Sequence, residues 1–103
     1  MKNVTELLQM AKKAQEQIAS AQAELATKTV TAVVGGGMVE AVFNGKMECV
    51  SLRIKPEVVD PKELEMLQEL ILAAVNDGVR RAQAMANEEI GKIAGGLKLP
   101  GIL

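Results

Sequence analysis

The stretch that decides the fold is residues 30–54, VTAVVGGGMVEAVFNGKMECVSLRI. Apolar and polar residues alternate on both sides of Asn44-Gly45, and Asn-Gly is the strongest short-range signal for a β-hairpin with a type I′ turn. Such a turn places Phe43 opposite Lys46 and Val39 opposite Val50, which directs the apolar residues of both strands to one face. The predicted inward face consists of Val39, Ala41, Phe43, Val50, Leu52 and Ile54.

A further strand precedes this hairpin. Residues 28–34 are rich in β-branched side chains, and Gly35-Gly36-Gly37 predicts a turn into the next strand. Pro56 ends the last strand because it has no N–H to donate to a sheet. We expect a three-stranded antiparallel meander over residues 29–34, 38–43 and 46–55, which other elements must cover because so small a sheet is unstable alone.

Length and composition indicate a single domain without a membrane span. The chain has 103 residues, one aromatic side chain and a net charge of −1, which gives no global electrostatic reason to bind nucleic acid or membranes. The single Cys49 excludes an internal disulfide, and the first residues lack the apolar run of a signal peptide. No apolar run approaches the roughly 20 residues of a membrane span. We therefore expect a cytoplasmic protein.

A first helix is predicted over residues 3–27, which contain no Gly or Pro and consist largely of good helix formers. Apolar residues recur there at alternating steps of three and four, the period of a coiled-coil seam. The pattern predicts close packing on another helix, either of the same chain or of a second one. The seam consists of Val4, Leu7, Ala11, Ala14, Ile18, Ala21 and Leu25.

A second helix is predicted over residues 61–94. Asp60 is expected as the N-cap, with Pro61 at the first position and Glu63 completing a capping box. Gly95-Gly96 is expected to stop the helix. An apolar stripe with a period close to 3.6 runs along it, through Leu64, Leu67, Ile71, Val75, Val79, Ala82, Ala86, Ile90 and Ile93.

The length and apolar content of this helix predict a homodimer. About 34 residues at 1.5 Å per residue span ~50 Å, which exceeds a compact domain of this size. Apolar side chains surround the helix between residues 70 and 75, whereas one small sheet covers only one side. A second copy is expected to cover another side, helped by close backbone approach at Gly78. The predicted interface consists of Leu67, Leu70, Ile71, Ala74, Val75 and Gly78.

No group of residues indicates catalysis. The chain has no His, which removes Ser/His and Cys/His nucleophile systems and the usual zinc sites. Cys49 is expected to be a plain small side chain, and Gly35-Gly36-Gly37 precedes a strand, whereas a phosphate-binding loop precedes a helix. We expect no enzymatic activity, no cofactor, no metal and no small-molecule substrate.

Basic residues on the two helices give one signal for a partner. Acidic residues concentrate between 57 and 77, so an anionic partner is expected along the first helix and the distal half of the second. Cations gathered on dimeric arms could contact phosphates, although a solvated surface explains the same pattern. The candidate DNA-binding residues are Lys2, Lys12, Lys13, Arg80, Arg81, Lys92 and Lys98.

Short runs along essentially the whole chain resemble the bacterial YbaB/EbfC family of nucleoid-associated DNA-binding proteins. The runs are GGGMVE at 35–40, NGK at 44–46, SLRI at 51–54, PEVVDP at 56–61, EML at 65–67, AAVND at 73–77, and GGL at 95–97 with LPG at 99–101. The resemblance implies an α+β fold of order α-β-β-β-α, a three-stranded sheet flanked by long helices, and a homodimer with projecting helical arms.

The resemblance also implies a function. It implies DNA binding, with roles in nucleoid organisation and gene regulation and a cytoplasmic location on the nucleoid. Together with the candidate cations, it predicts a dimer that binds duplex DNA mainly through phosphates and DNA shape, with weak sequence preference. The family has no short DNA-reading motif that assigns this role to particular residues, so the candidate cations rest on charge alone. The alternative is a non-enzymatic protein-interaction adaptor that uses its arms and the apolar tail at 97–103.

Overall fold

The computed structural model describes residues 3–97 of the chain. Its elements are α1 (Val4–Leu25), β1 (Thr29–Val34), β2 (Val39–Asn44), β3 (Cys49–Ile54) and α2 (Leu64–Leu97). Each strand pairs antiparallel with the next in the order β1-β2-β3. The predicted α-β-β-β-α order and the antiparallel meander are therefore confirmed.

The core forms where α2 packs over β1 and β2. β2 contributes three buried apolar side chains, and α2 contributes a row of small residues that lets the helix lie close to the sheet. Ala82 is the member of this row that also belongs to the stripe predicted by periodicity, and Ile71, Val75 and Val79 of that stripe are half-buried against the core. The core residues are Val39, Ala41 and Phe43 of β2 with Ala74, Gly78 and Ala82 of α2.

The predicted hairpin register is wrong. Phe43 pairs with Cys49 and Val39 with Ile54, with a bulge beside Val42. The type I′ turn is also wrong, because Asn44 remains in β2 and Met47 is the residue that adopts a positive φ, of 66°. A four-residue loop over 45–48 replaces the tight turn and moves the start of β3 along the chain.

The Asn44 side chain explains the longer loop. Its Oδ1 accepts hydrogen bonds from the backbone N–H groups of Lys46 (2.9 Å) and Glu48 (3.1 Å), and its Nδ2 donates to Glu48 Oε1 (2.8 Å). These bonds satisfy the buried amide and close the loop from inside. Gly45 is required for a different reason, since an added Cβ would lie 2.6 Å from Leu25 Cβ at the end of α1.

Gly35, Gly36 and Gly37 form the other connection of the sheet. All three have positive φ values, of 63°, 65° and 93°. Only glycine adopts this conformation without a steric penalty, so the glycine triplet is a backbone requirement of the β1–β2 connection.

The start of α2 follows the prediction more closely than its end. The Asp60 carboxylate accepts a hydrogen bond from Lys62 N (2.9 Å), but Pro61–Glu63 forms a turn of 3₁₀ helix before α2 begins at Leu64. The predicted stop at Gly95-Gly96 is wrong, because α2 continues through both glycines to Leu97. A glycine costs a helix only about 1 kcal/mol, which a long helix tolerates.

The distal half of α2 leaves the sheet and lies beside α1. Leu70 lies next to Gly35 at one end of the sheet, and Gly78 lies next to Phe43 towards the other, so later residues pass beyond the strands. There α2 contacts α1, which runs in the opposite direction. The buried residues of α1 are Ala21 and Leu25. We call α1 and residues 83–97 of α2 the arm. It accounts for the extended shape of 70 × 22 × 16 Å.

Among the described residues, neither long helix has an apolar stretch sufficient to span a membrane.

Candidate nucleic-acid interface

The candidate cations lie at three places on the molecule. Lys12 and Lys13 are exposed on α1, Lys92 is exposed on the distal half of α2, and Arg80 and Arg81 are exposed where α2 leaves the sheet. The arm therefore carries cations on both of its helices. Lys2 and Lys98 lie outside the described residues.

Arg80 and Arg81 share one acidic partner. Arg81 Nε donates to Asp77 Oδ2 at 2.8 Å, and Arg80 Nη2 lies 3.6 Å from Asp77 Oδ1. The hydrogen bond from Arg81 is the main reason that the pKa of Asp77 lies below its ordinary value. A phosphate that binds either arginine must compete with this carboxylate, so the contact is expected to contribute less free energy of binding.

Lys28 was not a candidate, but it forms the ion pair that joins α2 to the α1–β1 connection. Its Nζ lies 2.7 Å from Glu89 Oε1, and Lys92 Nζ lies 3.7 Å from the same oxygen. The hydrogen bond between Lys28 and Glu89 is the largest cause of the raised pKa of Lys28 and of the lowered pKa of Glu89. Glu89 thus forms ion pairs with two cations and links α2 to the α1–β1 connection. No sequence pattern indicated this pair, because its members are 61 residues apart.

The Lys28–Glu89 pair predicts a pH dependence. The lowered pKa of Glu89 means that its stabilising contribution is present above the ordinary carboxyl pKa of 4.5 and is lost as pH falls through the folded value. The raised pKa of Lys28 places the opposite limit above 10.5. We expect wild type to melt at a higher temperature than Glu89→Gln between these limits, and the difference to shrink in acid. Melting curves of both proteins against pH measure it, and a difference that stays constant into acid would contradict the ion pair.

Lys12 and Lys13 differ from the other candidates. Among residues 3–97, no carboxylate lies within ion-pairing distance of either ammonium, although Glu16 follows Lys12 by one helical turn. Their heptad positions place both on the side of α1 opposite the seam. They are the cations of the arm with the fewest competing partners.

The predicted dimer-interface residues are placed unevenly. Ala74 and Gly78 are buried by the chain's own sheet, so the close backbone approach at Gly78 is made to the Phe43 ring within the same chain. The remaining members of the predicted interface are half-buried beside the core. They are Leu67, Leu70, Ile71 and Val75.

β3 carries part of the predicted inward face, but α2 does not cover it, so Val50 and Leu52 are exposed. Leu52 pairs with Ala41 and shares its face of the sheet, yet it is 45% exposed because α2 lies over β1 and β2. Val50, at the bulge, is also exposed. We call Val50, Leu52 and Ile54 the β3 strip. The alternating sequence predicted that these residues share one apolar face, but it did not show which strands the helix would cover.

Two further features bear on chemistry, namely Cys49 and a cleft in the arm. Cys49 is exposed at the start of β3, and its Sγ lies 3.5 Å from the Ser51 carbonyl oxygen. A cleft of about 400 Å³ between the helices of the arm is lined by polar residues such as Gln17, Ser20 and Glu24. Within the described part of the chain, no group of acidic or thiol side chains is arranged to hold a metal ion.

The fold and its charged arm define a small α+β protein with a two-helix projection that presents cations to solvent. The sequence profile of the YbaB/EbfC DNA-binding family matches residues 1–97, and the chain belongs to that family.

Relatives agree with this assignment. A nucleoid-associated protein of Syntrophobacter fumaroxidans is 55% identical over 95 residues, which cover 92% of this chain and 86% of that protein. A nucleoid-associated protein of Pelotomaculum thermopropionicum is 44% identical over 100 residues, which cover 97% and 95%. The crystal structure of the uncharacterized protein HP0035 from Helicobacter pylori has the same fold, with a TM-score of 0.82 at 22% identity, covering 92% of this chain and all of that one.

Proposed function

We propose that the protein binds duplex DNA as a homodimer, mainly through phosphates and DNA shape, and acts at the bacterial nucleoid in DNA organisation and gene regulation. Membership of a DNA-binding family and the nucleoid-associated names of its relatives support the DNA partner. The residues that make the contact are inferred from the charge distribution of the arm.

The observation that carries this proposal is the exposure of Lys12 and Lys13 on the projecting α1 without an ion-pair partner among the described residues. A phosphate is attracted by any cation placed within reach, and contact with it requires no aromatic side chain. The net charge of −1 does not oppose this, because several acids lie near the start of α2, away from the arm. Local placement of charge therefore supports DNA contact where the overall charge does not.

Salt dependence tests the proposal directly. If two lysines per chain engage phosphates in a homodimer, the affinity should fall about a hundredfold between 50 and 200 mM salt. We expect a similar fall for unrelated duplexes, because phosphate contacts carry no sequence information. Fluorescence anisotropy with labelled duplexes and unrelated competitor DNA measures both. Binding that does not change with salt would contradict the phosphate mode.

The homodimer is proposed to use the β3 strip together with the half-buried residues of α2. The strip continues the apolar face of the sheet beyond the part that α2 covers, and β3 is an edge strand. A second copy that covers the strip would remove this exposed apolar surface from water, which is the main favourable term in association.

A charge placed in the strip should dissociate this homodimer. Leu52→Glu is expected to halve the mass measured by sedimentation, because a carboxylate cannot be buried there without a partner. Val33→Glu is the matched control, since Val33 is 56% exposed on the opposite face of the sheet. If Val33→Glu halves the mass and Leu52→Glu does not, the interface lies on the other face.

A second candidate function is the protein-interaction adaptor, which the exposed apolar residues of α1 favour. In that case the arm binds a protein through its apolar side, and charge changes on its polar side leave the partner bound. Pull-down with charge-reversed Lys12 and Lys13 variants separates the two functions. The variants should lose DNA binding if the arm contacts phosphates, whereas a protein partner bound through the apolar side should be retained.

A further inference from the structure

The distal part of α1 has an apolar face that no described part of the chain covers. Of the seven seam residues, only Ala21 and Leu25, next to the sheet, are buried. Leu7 is 48% exposed, and Leu8 beside it is 64% exposed. The face is therefore a continuation into solvent of the contact that α1 already makes with α2.

The charges of α1 are arranged so that this face can meet a copy of itself. In coiled coils, charged residues that flank the seam select or reject partners. Here the flanking residues between Val4 and Ile18 carry no charge; they are Leu8, Met10, Gln15 and Gln17. The charged residues of the same segment all lie on the opposite side of the helix; they are Glu6, Lys12, Lys13 and Glu16. Two copies of α1 can therefore pack face to face without like charges in contact.

The position of the sheet selects an antiparallel arrangement. The C-terminal end of α1 is attached to the sheet and its N-terminal end projects, so two helices that approach tip first keep their sheets apart. Placing Leu7 of one helix against Ala11 of the other brings Val4 against Ala14. Large residues then meet small ones along the overlap, which is the condition for close packing.

We propose that the exposed seam of α1 binds the α1 of a second copy in antiparallel orientation and so joins the arms of separate dimers. The surface is distinct from the β3 strip. A chain with two separate two-fold interfaces builds assemblies larger than a dimer. The lysines proposed for DNA contact lie on the other side of the helix, so one arm can bind a phosphate backbone and another arm together. The inference uses the proposed homodimer to count chains but does not depend on DNA binding.

Sedimentation velocity of the full chain without DNA, over a wide range of concentration, tests the inference. We expect wild type to reach at least twice the mass of Leu7→Glu/Leu8→Glu. The control Thr5→Glu/Gln9→Glu adds the same charge to the opposite side of α1 and should behave as wild type. Leu7→Ala/Leu8→Ala should lower the mass as the glutamate variant does, while alanine preserves the helix. Circular dichroism reports whether each variant is folded.

Equal masses for wild type and all folded variants at every concentration would overturn the inference, since the seam would then bind no second copy. The outcome is independent of the proposed function, because no DNA is present. It is also independent of the β3 strip: the seam variant should have at most half the mass of wild type, whether the remaining unit is a dimer or a monomer.

Discussion

Reversing the charge of Lys12 and Lys13 together is expected to weaken duplex binding on the order of a hundredfold at 100 mM salt. Each lysine that engages a phosphate contributes about 0.9 to the slope of log affinity against log salt, so the variant should also show a shallower slope. The effect is expected to be large because neither lysine has an ion-pair partner among residues 3–97. Anisotropy titrations at several salt concentrations measure both quantities.

Arg80→Glu/Arg81→Glu is the matched comparison, with the same change in charge. We expect a smaller loss of affinity, because both arginines are paired with Asp77 and a phosphate gains less by binding them. A larger loss for the arginine variant would move the DNA contact from the arm to the region where α2 leaves the sheet. If both variants are folded and bind as wild type, the phosphate mode is excluded for these four cations.

Gly78→Ala is expected to destabilise the protein by about 2 kcal/mol or more, although alanine is the better helix former by about 1 kcal/mol. The added Cβ would overlap the ring of Phe43, which is the only aromatic residue of the chain. The ring is buried in a core that leaves it little freedom to move. The free energy of unfolding in urea, compared with that of wild type, measures the change.

Gly91→Ala on the same helix provides the control. Apart from its own stretch of helix, no atom of residues 3–97 lies within 4 Å of the position that its Cβ would occupy, so the substitution should stabilise the protein by up to about 1 kcal/mol. In a Phe43→Val background, Gly78→Ala should lose most of its cost, since the conflicting ring is absent. An unchanged cost in that background would mean that Gly78 is needed for a contact other than the one with Phe43.

The main elements could be predicted from sequence because they depend on local preferences. The uninterrupted helix formers of α1, the capping residue Asp60 and the alternating strands each specify an element through contacts within a few residues. The hairpin register failed at Asn44, where a side chain that closes a longer loop competed with the tight turn. The Asn-Gly pair is compatible with both the tight turn and the longer loop. The strand pattern does not show that Gly45 lies close to Leu25 of α1.

The candidate site was predictable only as a set of charges. Sequence identified exposed cations on both helices but not which of them are paired, since pairing depends on side chains that the fold brings together. Lys28 and Glu89 show this across 61 residues. Asp77 lies within one turn of Arg80 and Arg81, so that pairing was within reach of a helical-spacing argument.

The sequence by itself determined the element order, the family and the amphipathic character of both helices, because these follow from periodicity and from local motifs. Only the tertiary structure decided that α2 covers two of the three strands, that Gly78 makes room for the Phe43 ring within the chain, and that most of the α1 seam remains exposed. The physical reason is that an apolar stripe specifies a need for burial, whereas the surface that meets it depends on how far the helix extends past the sheet.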